Sequence, residues 1–211
     1  MPFSFLPLGY DFADLAPAMS EKSARWHHDV VHDDYLAAID RLLAPYRELA
    51  ALTIEEVLVA PERIPDDIRD AARTQGGGHA NHQFMWKILG KDRGTRPVGP
   101  LRAKIDSTYG GLSGFTRAFQ SAALAHDGEG WAFLSLAKPR SHDVEILTTS
   151  GNGNVLELRK PGILICDLWE HAYRDDHNGD REAWLDAYLR VVDWEHCSLR
   201  YDRLAAGMPI T

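Results

Sequence analysis

Apolar residues recur at helical spacing through much of the first half of the chain. Trp26, Val30, Leu36, Ile39, Leu42 and Leu43 follow Ser20 and Glu21 in a pattern that predicts one long helix with Ser20 at its start. Pro45 ends or kinks that helix, because its ring clashes with the preceding turn and it has no N–H to donate. A second helical stretch runs from Asp66 and Asp67 to Leu89, and it crosses Gly76-Gly77-Gly78, where a break or a close backbone approach is expected. The two stretches together predict an antiparallel helical hairpin. The segment KDRGTRPVGP then gathers glycine, proline and charge, as a connection between structural halves does.

Beyond that segment the spacing stays helical around Leu101–Ser107 and Gly114–Ala125, and then its period changes. Trp131–Leu136, Val144–Thr149 and Ile163–Asp167 are short β-prone runs separated by KPRSHD and SGNGN, which read as turns or loops. Helical spacing returns over Arg181–Val192 and Trp194–Leu204. The predicted fold is α+β: an N-terminal helical hairpin domain over residues 1–92, then a C-terminal α/β domain over residues 93–211 with a small three-stranded antiparallel sheet.

Composition narrows the function. With 211 residues, 45% hydrophobic and 26% charged, the chain has the balance of a soluble globular protein with a substantial core. A net charge of -8 without clustered Lys and Arg argues against a general nucleic-acid binder. No stretch approaches the roughly 18 apolar residues that a membrane span needs, and the opening MPFSFLPLGYDF lacks a basic segment followed by a long apolar one. Cys166 and Cys197 form no CxxC motif and read as plain buried thiols of a reducing compartment. The expectation is a cytoplasmic protein.

Four segments carry metal-ligand side chains: WHHDVVHDDY, GGGHANHQFMW, DLWEH and, more weakly, DDHNGD. His27, His28 and His32 fall on one helix and cannot all face one ion, since His27 is turned about 100° from His28. Asp167 and His171 are four apart where a strand yields to a helix, so a carboxylate and an imidazole can converge there. Glu170 must then project elsewhere. Three imidazoles and one carboxylate, without thiolate, suit iron, manganese or zinc better than copper(I) or an iron–sulfur cluster, and the shortage of oxygen ligands disfavours calcium. Spacing alone does not separate a closed structural site from an open reactive one.

The strings GYDFADLAPAMS, WHHDVVHDDY, GGHANHQFMW, GEGWAFL, CDLWEHAY and VVDWEH, in that order, resemble the iron/manganese superoxide dismutases from about Leu6 to about Leu204. The resemblance implies metal ligands at His27, His82, Asp167 and His171, one manganese or iron ion per subunit, and disproportionation of superoxide to oxygen and hydrogen peroxide. It makes Tyr35 a gateway tyrosine with His32 beside it, Trp86, Trp131 and Trp169 walls of the site, and Arg181 an arginine at the substrate funnel. It also implies a homodimer through the Glu170/His171 region, in which each Glu170 reaches the other subunit's His171.

The chain departs from the family at four positions. Family members carry a glutamine that bonds the metal-bound solvent; the two places that supply it hold Gly78 and Asn152 here. Asn152 is one methylene shorter and reaches only with a loop adjustment, while glycine at 78 is closer to manganese than to iron members and leans the metal towards manganese. A family histidine and tyrosine that pair across subunits are replaced by Val31 and Arg174. An alternative reading follows from these changes: a non-catalytic metal-binding structural or interaction relative with the same fold. A non-haem iron oxygenase or hydrolase is a third class, and the chain lacks the HExxH helix of zincin hydrolases.

Overall fold

The computed structural model describes residues 3–92 and 94–208. The first predicted helix is one continuous rod over residues 21–43, but not a uniform one. It begins as α1 (Glu21–Trp26), winds wider as a π-helical turn over His27–His32, and resumes as α2 (Asp33–Leu43). Ser20 caps it as expected, its Oγ accepting from the Ser23 N–H at 3.2 Å. Two short helices that the apolar spacing does not reveal follow, α3 (Arg47–Ala50) and α4 (Ile54–Leu58). A local signal for α4 is present: Thr53 and Glu56 form a reciprocal capping box.

The second long helix, α5 (Asp66–Lys87), runs unbroken through the three glycines, so these mark close approach rather than a break. α2, α4 and α5 share a core of Leu36, Ile39, Leu43, Ile54, Val57, Leu58 and Ala72, which Leu156 from the second half also joins. α6 (Gly99–Tyr109) and α7 (Leu112–Ala125) lead into strands β1 (Gly130–Leu136), β2 (Val144–Ser150) and β3 (Gly162–Asp167). The sheet is antiparallel in the order β2-β1-β3, so β1 is central, and it is buried along its whole length. α8 (Arg174–His177), α9 (Arg181–Tyr188) and α10 (Trp194–Ala205) complete the chain, with α7, α10 and α5 packed on the sheet.

α9 ends earlier than the Arg181–Val192 spacing suggests. Its continuation is taken up by another partner: Gly90 N–H donates to Val191 O at 2.9 Å, Asp193 N–H donates to Ile88 O at 2.8 Å, and Val192 bridges to Leu89. These bonds tie the end of α5 to the start of α10. The larger core likewise crosses the halves, joining Leu15, Met19, Met85, Trp86 and Ile88 to Phe115, Phe119, Phe133, Trp184 and Tyr188. α5 is therefore held rigidly against the end of β3, and the candidate ligands lie in that seam.

Candidate metal centre

His27 opens the π-helical turn, His82 sits in the last third of α5, Asp167 ends β3, and His171 follows in a single 3-10 turn, Glu170–Ala172. One potential ligand atom from each of the four lies within 4.8 Å of the others. Asp167 Oδ2 is the common point, at 3.3 Å from His27 Nε2, 3.7 Å from His82 Nε2 and 3.0 Å from His171 Nε2. Asp167 Oδ1 accepts the Trp169 N–H at 2.8 Å, which fixes the carboxylate plane and aims Oδ2 at the imidazoles. The Trp184 indole N–H donates to the Asp167 carbonyl at 2.8 Å and secures the strand end itself.

The donor chemistry fits a cation of the nitrogen-binding kind. His82 Nδ1 lies 2.7 Å from the Gly78 carbonyl, which can only accept, so Nδ1 carries the proton and the Nε2 lone pair faces the cluster. His82 Nε2 and both ring nitrogens of His27 are buried without a hydrogen-bond partner. Buried orphan nitrogens are costly unless something binds them. Burial holds His27 below its usual pKa and pushes His82 down to about 3, so both are neutral and ligand-competent. Burial alone would raise the Asp167 pKa, but His171, by its charge and its 3.0 Å hydrogen bond, prevails with the nearby His27 and keeps it ionised. Three imidazoles around one carboxylate suit manganese, iron or zinc.

The π-helical turn decides where the other histidines go. In a regular α-helix His27 and His32 would be about 140° apart around the axis; an i→i+5 turn closes more nearly on itself and brings them to one side. His32 stacks on the His82 ring at 5.4 Å and shares a 2.8 Å Nε2···Nδ1 hydrogen bond with His79. His28 instead faces Phe5, Phe12 and Trp86. Only His27 of the three enters the cluster, so the three do not share one ion, and His27 is the one that the family resemblance implies.

The predicted surroundings converge on the same place. Tyr35 packs its ring 5.4 Å from that of His82, Trp131 meets His82 edge-on at 4.9 Å, Trp86 meets His27 at 5.1 Å, and Trp169 stacks on His171 at 5.7 Å. Trp131 pairs with Asp167 in the sheet register, which explains why both reach one point. Asn152 is buried, accepts the Trp131 indole N–H at 3.4 Å and meets the Tyr35 side chain. Two glycines make this possible. A Cβ on Gly77 would lie 2.1 Å from the Asn152 carbonyl oxygen, and one on Gly78 would lie 2.5 Å from the Tyr35 ring. Glu170 is exposed. Arg181 is anchored: its guanidinium donates to the carbonyls of His126, Gly128 and Leu168 at 2.9, 2.8 and 3.1 Å and to Tyr173 Oη at 3.3 Å.

Comparison with known proteins supplies the family. Residues 2–90 match the alpha-hairpin domain of the iron/manganese superoxide dismutases, and residues 97–200 match their C-terminal domain. The chain belongs to the iron/manganese superoxide dismutase family. It is 32% identical to a manganese superoxide dismutase of Listeria innocua over 202 residues, covering 96% of this chain and 98% of that one. It is 33% identical to a manganese/iron superoxide dismutase of Methylomonas over 204 residues, 97% of this chain and all of the relative. A manganese superoxide dismutase of Leptolyngbya boryana is 32% identical over 203 residues, 95% of this chain and 81% of its own length. The α+β fold and the four-residue cluster are those the family resemblance implies. The non-catalytic alternative is not favoured.

Some residues that build this superoxide dismutase site escape sequence reading. Asn81 donates to the Gly153 carbonyl at 3.3 Å and accepts from Asn154 Nδ2 at 2.6 Å, so the loop that carries Asn152 is pinned to α5. His79 is the hidden partner of His32. The only local hint was a run of polar residues, His79, Asn81 and His82, on a helix that is buried there. Among the described residues, no helix is long and apolar enough to cross a membrane.

Proposed function

We propose that this chain disproportionates superoxide to oxygen and hydrogen peroxide at one manganese or iron ion held by His27, His82, Asp167 and His171, with manganese the favoured metal. The observation that carries the reading is the convergence of the partnerless Nε2 atoms of His27 and His82 on Asp167 Oδ2 beside His171. When bound, the ion supplies a one-electron couple able to take an electron from one superoxide and return it to the next. The protein's share is to set that couple and to supply protons.

Tyr35 is placed for the second task. Burial, followed by the charges of Asp167, Glu129 and Asp34, raises its pKa, so Oη holds its proton at neutral pH and can donate it. Asn152, Trp131 and Tyr35 form the adjoining polar chain, and His32, backed by His79, stiffens His82 from behind. Trp86, Trp131 and Trp169 exclude bulk water from the ligands, which strengthens each electrostatic contact among them. Arg181 lends positive charge from its anchored position to an otherwise acidic chain.

The decisive experiment is reconstitution of the metal-free protein separately with manganese and with iron. About one ion per chain and rapid superoxide turnover are expected, with the higher rate for manganese; a protein that binds either metal stoichiometrically and turns over no superoxide is not a dismutase. The exposed Glu170 beside His171 also supports a two-fold homodimer in which each Glu170 bonds the other subunit's His171. Sedimentation at micromolar concentration should give the mass of a dimer, and a monomer there contradicts it. The free buried thiols of Cys166 and Cys197 favour a reducing, cytoplasmic setting.

A further inference from the structure

The mouth of the site carries the wrong charge for its substrate. Glu129 and Asp34 are exposed; Asp34 adjoins Tyr35 on α2, and Glu129 lies two residues before Trp131, its carbonyl accepting the Gly151 N–H at 2.9 Å beside Asn152. Glu170 adds a third exposed carboxylate next to His171. Superoxide is an anion and would be repelled over about 8 Å, the screening length at physiological salt. Arg181, fixed in place by bonds to Tyr173 and to three backbone carbonyls, sets a single positive charge against these three carboxylates.

Those same bonds assemble a self-complementary face. Arg181 clamps residues 126–128 to residues 168–173, so Glu129, Glu170 and Arg174 emerge from adjoining turns. Arg174 is 64% exposed, and its contact with the neighbouring and likewise exposed Asp175 is a loose one at 3.5 Å. Exposed carboxylates and an exposed cation on adjoining turns suit a second copy related by a two-fold axis, because a pair of opposite charges then forms twice. In the proposed dimer Glu170 is already engaged with the partner's His171. Glu129 is left as the acceptor.

We propose that Arg174 acts in trans: each subunit's Arg174 pairs with Glu129 of its partner, closing the dimer and supplying the cation that draws superoxide to the partner's site. The inference rests on the dimeric reading above, and the two fail differently.

The test is charge exchange in the manganese-loaded enzyme, read by sedimentation and by superoxide turnover against ionic strength. Arg174→Glu should raise the dimer dissociation constant on the order of 10- to 100-fold, since two attractions become two repulsions. It should also lower kcat/KM several-fold at low salt, a loss that shrinks as salt rises. Glu129→Arg should weaken the dimer similarly, and the double variant Glu129→Arg/Arg174→Glu should restore it to near the unaltered value. A double variant no tighter than either single one overturns the pairing, and unchanged low-salt kcat/KM in Arg174→Glu overturns the steering role. If the unaltered enzyme is itself a monomer, the dimeric reading fails first and takes this inference with it; if it dimerises but turns over no superoxide, only the catalytic reading fails.

Discussion

Asp167→Ala is expected to leave the protein folded but unable to keep its metal, with superoxide turnover reduced more than about 100-fold. Loss of a residue that merely orients a ligand costs about 10- to 100-fold in metal affinity or activity, and Asp167 is itself the point on which three imidazoles converge. The substitution also removes the sole anion of the cluster, so nothing offsets the positive charge of a bound ion in a fully buried place. Metal analysis after dialysis, together with melting curves with and without added manganese, separates loss of metal from loss of fold. The unaltered protein should be stabilised by manganese through binding to its folded form alone, and the variant should not. Near-stoichiometric manganese and full turnover in the variant would remove Asp167 from the ligand set.

Gly77→Ala should be a strongly damaging single-carbon change beside the ligands. The added Cβ would sit 2.1 Å from the Asn152 carbonyl oxygen, and a backbone atom cannot swing aside as a side-chain tip can. Either α5 or the 150–154 loop must retreat, at a cost of about 1–3 kcal/mol or more. For a chain of this size that lowers the melting temperature by roughly 3–10 °C. Activity should fall further than stability, because retreat of the loop draws Asn152 away from Trp131 and Tyr35 while His82, further along α5, keeps its place. Gly9→Ala is the matched control, since nothing lies within 4 Å of its added carbon, and it should change stability by less than about 0.5 kcal/mol. Equal melting temperatures and rates for the two variants would show that the loop is not seated on α5 as described.

The route from pattern to structure was direct where the signal is local. Spacing placed both long helices and all three strands within a residue or so of where they lie, because burial of one face imposes a period on the sequence. The segments between them were less legible. Residues 46–65 hold two short helices whose apolar positions are too few to form a period, although the Thr53/Glu56 box marks one of them. α9 stops at Tyr188 because Gly90 and Ile88 take the following backbone groups, an event written a hundred residues away.

The candidate site divides in the same manner. The types and spacing of His27, His82, Asp167 and His171 determined a nitrogen-rich metal site, and the ordered motifs around them determined the family, since ligand identity is a property of side chains that any fold must preserve. The sequence also determined that His27, His28 and His32 could not share one ion. Tertiary structure alone decided that the rod of residues 21–43 winds into a π-helical turn at His27–His32, that His32 leans on His79 and His82, and that Arg181 is bound to backbone carbonyls. It alone decided what the three glycines do: at Gly77 and Gly78 the missing side chains let the Asn152 loop and the Tyr35 ring close on α5. The reason is the same in each case. A period or a ligand spacing is repeated along the chain and can be read there, whereas a contact between residues far apart in sequence, such as His32 and His79 or Gly77 and Asn152, exists only once the core has brought them together.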